Sequence, residues 1–138
     1  MRGICGICRC DTAVHEESAW LYKQTRGATK TVLHAGGMLA DATIPKQTLS
    51  TIRQVFAAKV DAVRHTYSST ACEPVTSTVL FSSVAALLGS AGQANYSAAN
   101  GALEGLAAHW AAQGSSVSSM QWGPWSGKSH LLVKHGFF

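Results

Sequence analysis

The chain has 138 residues, of which 46% are hydrophobic and 13% are charged, so it contains enough apolar side chains for one folded domain. Such a low fraction of charged residues excludes a disordered or nucleic-acid-coating chain. The formal net charge of +4 is scattered along the sequence, so it gives only a weak preference for an anionic ligand such as a phosphorylated cofactor. No apolar run reaches the roughly 18–20 residues of a membrane span, and the chain lacks the apolar core of a secretory signal. We therefore expect a cytoplasmic protein with no nucleic-acid or membrane partner.

The first third of the chain predicts a strand, a helix and a second strand. Residues 3–10 alternate as a β-strand does, and a turn separates them from a short helix over residues 14–24. Residues 31–34 predict a short strand that runs into two glycines, where the backbone must bend or approach another group closely. We expect residues 3–10 to pair with residues 31–34 or to lie loosely at an exposed edge.

Cysteines are concentrated in the first predicted strand, at Cys5, Cys8 and Cys10, with His15 nearby. A cluster of this kind is one way to bind zinc. However, the sequence contains no second Cys-x-x-Cys or His-x-His pair, and the cluster merges into the alternating segment. We favour small hydrophobic thiols in a strand and keep a cysteine-based metal site as the alternative.

The next predicted helix begins after Thr48 and places one lysine among apolar residues. Taken alone, Lys59 favours an ordinary explanation, in which its stem covers the edge of the core and its amine reaches solvent. The alternative is an amine held beside a reacting group. Spacings of three and four put Lys59 on one face with Ile52, Val55, Phe56 and Val63.

The second half of the chain predicts two more strands around a long helix. Residues 78–81 form the continuous apolar run expected of a central strand, which ends at two serines and continues into a glycine-containing loop. A helix is predicted over residues 94–112, with Gly114 as the residue that stops it. A last strand is predicted over residues 118–122. The alternation of strands and helices indicates βαβ units. One stripe of the long helix contains Tyr96, Asn100, Leu103, Ala107 and Trp110.

Four polar side chains are suited to reducing a carbonyl group. Such a reaction needs an acid for the carbonyl oxygen and donors that hold this oxygen in place while hydride arrives at carbon. A phenol has a pKa near 10, which a nearby ammonium lowers, so Tyr96 with Lys59 fits this need. Ser83 ends a parallel strand, where α/β sheets place ligand-facing groups, and Asn100 shares a helix face with Tyr96. Each residue alone has an ordinary structural explanation, and their joint spacing favours a reductase site.

Seven motifs occur in one order along residues 6–127. They are Cys10-Asp11, His34-Ala35-Gly36-Gly37, Ala58-Lys59-Val60-Asp61, Phe81-Ser82-Ser83, Gly92-Gln93-Ala94-Asn95-Tyr96, Ala99-Asn100 and Trp122-Gly123-Pro124-Trp125. In these motifs the chain resembles the short-chain dehydrogenase/reductases, and within them the ketoreductase domains of polyketide synthases and animal-type fatty acid synthases. Ordinary short-chain reductases carry lysine four residues after the tyrosine. The synthase ketoreductases carry asparagine there and take the lysine from the preceding helix, as this sequence does.

The resemblance implies a role for each matching residue. Tyr96 would donate the proton, Ser83 would bind the substrate carbonyl, Lys59 would lower the tyrosine pKa and contact the cofactor ribose, and Asn100 would support a water-linked proton path. The implied cofactor is NADPH. The implied substrate is a β-ketoacyl thioester on the phosphopantetheine arm of an acyl carrier protein, with further synthase domains in cis. The implied cofactor contacts are Asp11 beside the adenine, Ala35, Gly36 and Gly37 under the adenosine ribose, and Gly123 and Pro124 near the nicotinamide.

The resemblance also bears on the configuration of the product. Family members with Leu-Asp-Asp after the glycines form the D-configured, B-type alcohol, and here Leu39-Ala40-Asp41 keeps the last aspartate. Leu88 stands where the A-type class has tryptophan, and we group Gln93 with these substrate-side positions. B-type stereochemistry is therefore our hypothesis.

The implied fold is an incomplete Rossmann-like, doubly wound parallel α/β sheet. It lacks the first βαβ unit, because nothing in residues 1–30 supplies the Gly-x-Gly-x-x-Gly turn that binds pyrophosphate. We expect residues 1–127 to form a partial NADP-binding ketoreductase domain and residues 128–138 to begin a substrate lid or form a truncated tail. Alone, such a fragment should be inactive. The alternatives are a non-catalytic structural or interaction module and another short-chain reductase with a free substrate.

Overall fold

A computed structural model describes residues 6–25 and 27–124, and these residues form a three-stranded parallel sheet flanked by helices. The predicted α/β class is confirmed. The strands lie side by side in chain order, so each is joined to the next by a helical crossover, as parallel pairing requires. The strands are β1 (Thr31–His34), β2 (Ser77–Ser83) and β3 (Val117–Trp122).

Helices account for most of the remaining described residues. The helix predicted after Thr48 is one continuous helical segment that changes to a π turn in its middle and then returns to α-helix. A short 3₁₀ turn precedes it, at Ile44–Lys46. The helices are α1 (His15–Gln24), α2 (Leu49–Phe56), the π turn (Ala57–Asp61), α3 (Ala62–Ser69), α4 (Ala85–Leu88) and α5 (Ala94–Ala112).

The prediction of a strand over residues 3–10 is wrong where the structure describes it. Residues 6–10 form no strand, and the side chain of Ile7 is 100% exposed, while residues 3–5 lie outside the described part of the chain. A strand needs a neighbour that accepts and donates backbone hydrogen bonds. Within the described residues, β1 pairs with β2 and not with residues 6–10.

The end of β2 is as predicted, and one further local prediction needs correction. Ser82 and Ser83 are the last two residues of β2, and both pair with β3. The loop predicted after them contains the short helix α4, whose Ala85 N–H donates to the Ser83 Oγ at 3.2 Å. A serine side chain that binds a backbone N–H two residues on starts a helical turn as readily as it starts a loop.

The hydrophobic core lies on one face of the sheet, between α3 and α5. It contains Val63, Leu80, Leu103, Ala107 and Trp110, so the apolar stripe predicted on the long helix is confirmed. On the opposite face, Leu33 is 64% exposed and Met120 is 46% exposed. None of the described helices combines the length and apolar content needed to cross a bilayer.

Thr48 begins the helical segment that carries Lys59, and its cap provides a test of local stability. Thr48 Oγ1 accepts the Thr51 N–H at 3.1 Å, while Thr51 Oγ1 accepts the Thr48 N–H at 3.0 Å, which is a reciprocal capping box. We expect Thr48→Ala to lower the free energy of unfolding by about 1 kcal/mol. Urea unfolding followed by circular dichroism measures this loss. The matched control is Ser50→Ala, at an exposed position in the same turn, and equal unfolding midpoints for both variants would contradict the capping role.

Candidate active site

The amine of Lys59 lies inside the protein. Lys59 is 4% exposed, and its Nζ donates a hydrogen bond to the backbone carbonyl of Phe81 in β2 at 2.9 Å. The explanation in which this amine reaches solvent is therefore wrong. Burial lowers the pKa of Lys59 from its ordinary 10.5 to about 8, because an ammonium loses hydration when it leaves water. The residue belongs to the π turn, a feature often found at functional sites.

Lys59 and Tyr96 are neighbours in space, as the sequence predicts. The Nζ of Lys59 lies 5.3 Å from the centroid of the Tyr96 ring, which is within cation–π range. Tyr96 is in the first turn of α5, and its side chain is half-buried. The structure thus brings a buried amine and a phenol together from two different helices.

Ser83 lies at the end of β2 that faces this pair. It is the last residue of the strand and comes two residues after Phe81, a separation of about 6.6 Å along a strand. Its Oγ accepts the Ala85 N–H, which leaves the hydroxyl hydrogen available for donation to another group. Ser83 therefore lies on the same strand end as the carbonyl that holds the Lys59 amine.

Asn100 is fully buried one helical turn after Tyr96. Its Nδ2 donates to the backbone carbonyl of Tyr96 at 2.9 Å, so the amide is held by its own helix. Its Oδ1 is buried and has no hydrogen-bond partner among the described residues. A buried acceptor of this kind calls for a water molecule or a ligand group.

Gly36 and Gly37 lie close against the side chains of His34 and Lys59. A Cβ on Gly37 would lie 3.1 Å from Lys59 Cε, and a Cβ on Gly36 would lie 3.1 Å from His34 Cε1. The requirement for glycine here is close approach of side chains to the backbone. Ala35, Gly36 and Gly37 are all exposed, so solvent or a bound group can reach them.

The other predicted cofactor positions are more exposed. Gly123 and Pro124 directly follow β3 and are exposed at the same end of the sheet as Ser83, since Ser83 pairs with Trp122. Asp11 is exposed, and its Oδ1 accepts the Ala13 N–H at 3.0 Å, within its own turn. Its hydrogen bonds within the described chain are with Ala13, Val14 and Glu17, which lie outside the group around Lys59.

Replacing Gly37 tests how closely the backbone must approach Lys59. We expect Gly37→Ala to preserve folding, because the lysine stem is flexible, but to displace the amine by a few tenths of an ångström and lower any turnover about tenfold. Steady-state kinetics together with thermal unfolding would measure both effects. The matched control is Gly101→Ala on α5, where a Cβ meets nothing within 4 Å and should stabilise the helix by about 1 kcal/mol. Equal turnover in the two variants would argue against a site at Gly37.

His34 is a site residue that sequence reasoning did not single out. It is buried at the end of β1, beside Gly36, and its pKa is lowered to about 4 by burial and by the nearby charge of Lys59. The imidazole is therefore neutral at physiological pH and adds no second positive charge next to the lysine. The alternation of β1 was the available signal, since it places Val32 and His34 on the covered face.

Asn95 is the second residue that the sequence analysis left without a role. Its Nδ2 donates to the Ala40 carbonyl at 2.8 Å, and its Oδ1 accepts the Tyr96 N–H at 2.8 Å. Beside it, Gln93 Nε2 donates to an Asp41 carboxylate oxygen at 3.1 Å. The segment containing Ala40 and Asp41 is thus held against the first turn of α5. In the sequence, the only sign of a role for Asn95 is that it directly precedes Tyr96.

The metal alternative finds no support in the described part of the chain, where no group of three or more His, Cys, Asp or Glu side chains is arranged to hold an ion. Cys8 and Cys10 are free thiols. Cys5 lies outside the described residues.

Comparison with known proteins identifies the family. The family model of the KR domain matches residues 4–127. This chain belongs to the KR domain family. It is similar to the phenolphthiocerol synthesis polyketide synthase type I Pks15/1 of Mycobacterium bovis, with 42% identity over 122 residues that cover 86% of this chain and 6% of that relative. It also matches the spectinabilin polyketide synthase system protein NorA' of Streptomyces orinoci, with 39% identity over 129 residues that cover 92% of this chain and 4% of that relative.

Solved structures agree with this assignment. The KR domain chain superposes on an A1-type ketoreductase with a TM-score of 0.84 and 33% identity, covering 93% of this chain and 28% of that chain. A-type ketoreductases from a modular polyketide synthase give a TM-score of 0.81 and 37% identity, covering 87% and 26%. A short-chain dehydrogenase from Mycobacterium avium, at 24% identity and a TM-score of 0.71, shares the fold. The predicted resemblance to polyketide synthase ketoreductases is confirmed.

Proposed function

We propose that this chain carries the catalytic residues of a polyketide synthase ketoreductase, which reduces a β-ketoacyl thioester to the β-hydroxyacyl thioester with NADPH. The observation that carries the proposal is the Lys59 amine, which is buried, bound to the Phe81 carbonyl and 5.3 Å from the centroid of the Tyr96 ring. Burying an ammonium costs free energy, and a protein keeps such a group where it has a use. The nearby phenol of Tyr96 indicates that use.

In the proposed mechanism, Tyr96 donates its phenolic proton to the substrate carbonyl oxygen as hydride reaches the carbon. The Lys59 charge stabilises the negative charge left on the phenol oxygen. Ser83 donates its hydroxyl hydrogen to the same carbonyl oxygen and so fixes its position. The buried Asn100 Oδ1 would accept from a water molecule that returns a proton to Tyr96.

The residues around Lys59 fit a nicotinamide cofactor, which would supply the hydride when bound. Ala35, Gly36 and Gly37, which are all exposed, would lie under the adenosine ribose. Lys59 would contact the other ribose, and Gly123 and Pro124 would lie near the nicotinamide. Asp11 would approach the adenine. The net charge of +4 gives a weak preference for the phosphorylated form, NADPH.

We further propose that the substrate arrives on the phosphopantetheine arm of an acyl carrier protein and that other synthase domains lie in cis. Support comes from the relatives, which are polyketide synthases much longer than this chain; the chain spans 6% and 4% of the two described above. Fatty acid synthesis is a second context for the same reaction.

The experiment joins this chain to the glycine-rich half of a solved ketoreductase and measures NADPH oxidation with a β-ketoacyl thioester, alongside the unjoined chain. We expect turnover in the joined protein, faster with NADPH than with NADH and faster with a carrier-bound thioester than with a free one. A faster rate on a free substrate would favour another kind of short-chain reductase. No oxidation in either form would favour the non-catalytic module and overturn the proposal.

For the product we propose the B-type, D-configured alcohol. Asp41 is held by Gln93 next to the first turn of α5, and Leu88, at the end of α4, is 78% exposed where the A-type class has tryptophan. Two of the similar solved structures are A-type ketoreductases, so the proposal makes this chain differ from them in the configuration of its product. Chiral chromatography of the reduced thioester tests it, and an L-configured alcohol would rule it out.

A further inference from the structure

Glu104 lies two helical turns after Tyr96 and binds two strands at once. Its Oε1 accepts the Ser82 hydroxyl hydrogen at 2.6 Å and a Gln121 Nε2 hydrogen at 3.0 Å. Ser82 is buried, and its Oγ also lies 3.4 Å from the backbone carbonyl of Asn100. A carboxylate that accepts two hydrogen bonds at these distances is a strong, directional contact.

The two strand residues that Glu104 binds are next to the proposed active-site residues. Ser82 lies between Phe81, whose carbonyl holds the Lys59 amine, and Ser83. Gln121 lies two residues before Gly123, at the proposed nicotinamide end of β3. The carboxylate itself is on α5, the helix that carries Tyr96. One side chain therefore connects three elements of the proposed site: β2 with Ser83, α5 with Tyr96, and β3, which leads to Gly123.

Apolar packing alone leaves the position of α5 along β2 less well defined. Leu103 of α5 is fully buried in one cluster with Leu80 of β2, but hydrophobic contact has no preferred direction. Hydrogen bonds with defined donors and acceptors do have one. Glu104 supplies these contacts at the level of Ser82, and so it fixes the distance between the strand end and Tyr96.

We propose that Glu104 is a positioning residue. Through Ser82 and Gln121 it fixes where Ser83 and the Phe81 carbonyl, which binds Lys59, lie relative to Tyr96. The inference rests on the proposed ketoreductase function. Glu104 does not touch substrate or cofactor in this scheme. Its loss should therefore slow the chemical step while leaving cofactor binding unchanged.

The test uses Glu104→Gln in the joined protein described above. Glutamine keeps the shape and an Oε1 acceptor but loses the negative charge that makes both hydrogen bonds strong. We expect the weakened contacts to let the strand end shift relative to Tyr96, so that kcat falls about 10- to 100-fold with KM for NADPH unchanged. Ser82→Ala removes the donor and should produce at least as large a loss, and the double variant should be no worse than Ser82→Ala, because both changes act on the same contact. Additive losses, or an unchanged kcat in Glu104→Gln, would overturn the inference.

Glu73→Gln is the matched control. Glu73 also accepts a long-range hydrogen bond, from the Gly27 N–H at 2.6 Å, but it precedes β2 and lies at the opposite end of that strand from Ser83. It should lower stability without altering kcat. If Glu73→Gln slows turnover as much as Glu104→Gln does, the effect of Glu104 is general destabilisation and the inference fails.

A second measurement separates this inference from the proposed function. Amide hydrogen exchange of the 138-residue chain, compared between wild type and Glu104→Gln, should become faster in residues 80–85 and stay unchanged in residues 31–34. If wild type turns over, Tyr96→Phe does not and Glu104→Gln matches wild type in both assays, the function stands and the inference is overturned. If no protein turns over, the function fails, and unchanged exchange in residues 80–85 would overturn the inference as well.

Discussion

Replacing Tyr96 with phenylalanine is expected to lower kcat in the joined protein by about 10²- to 10⁴-fold, the usual contribution of a general acid. The substitution removes only the hydroxyl group. The ring that lies 5.3 Å from the Lys59 amine remains, and so does the hydrogen bond from Asn100 to the backbone carbonyl of residue 96. KM for NADPH should therefore change little. Initial rates of NADPH oxidation over a range of thioester concentrations give both constants.

Tyr67→Phe is the matched control for the loss of a phenolic hydroxyl. Tyr67 stacks on Trp110 at a centroid distance of 3.9 Å, and its hydroxyl shares a 2.6 Å hydrogen bond with Ser115, away from Lys59. This variant should lose about 1 kcal/mol of stability and keep its turnover. An active Tyr96→Phe enzyme, or an equally slow Tyr67→Phe enzyme, would remove Tyr96 from its proposed role.

The regular elements of this chain could be predicted because their patterns are strong. The helix over residues 94–112 and the strand over residues 31–34 have the bounds that the sequence predicts, since a stripe of buried residues or a β-branched run specifies each of them. Residues 6–10 have a similar alternation, yet they form no strand in the described sheet. Pairing depends on a neighbouring strand, and the pattern of a single segment carries no information about its neighbour.

The sequence predicts which residues make up the candidate site, but not how deeply they are buried or which distant segments they contact. The spacing of Lys59, Tyr96 and Asn100 correctly indicates which residues share a face or a region. The sequence could not show that the lysine is buried in a π turn, because one extra residue in a helical turn barely changes the spacing of apolar positions. Contacts such as that between Asn95 and the Ala40 carbonyl join segments far apart in the chain, and no local pattern encodes them.

Replacing Lys59 with methionine should abolish turnover and change how stability depends on pH. The folded-state pKa of Lys59, about 8, lies below its ordinary value of 10.5, so the unfolded chain binds this proton more tightly than the folded chain does. The buried, protonated amine therefore destabilises the folded state by its full amount below pH 8, and this destabilisation diminishes as pH rises from 8 to 10.5. Methionine fills the same space without a charge. Its stability relative to wild type should therefore fall by about 2–3 kcal/mol between pH 7 and pH 10, at about 1.4 kcal/mol per pH unit.

Urea unfolding of both proteins across this pH range measures the difference, in which the titration of groups that do not interact with Lys59 cancels. His34, which does interact with Lys59, has a pKa of about 4 and is neutral throughout this range. Lys46→Met is the matched control, since Lys46 is exposed on the 3₁₀ turn, and its curve should run parallel to that of wild type. Parallel curves for Lys59→Met as well would mean that the amine reaches water in solution. The cation beside Tyr96 would then be hydrated and screened, and the physical basis for assigning an acid role to that phenol would be lost.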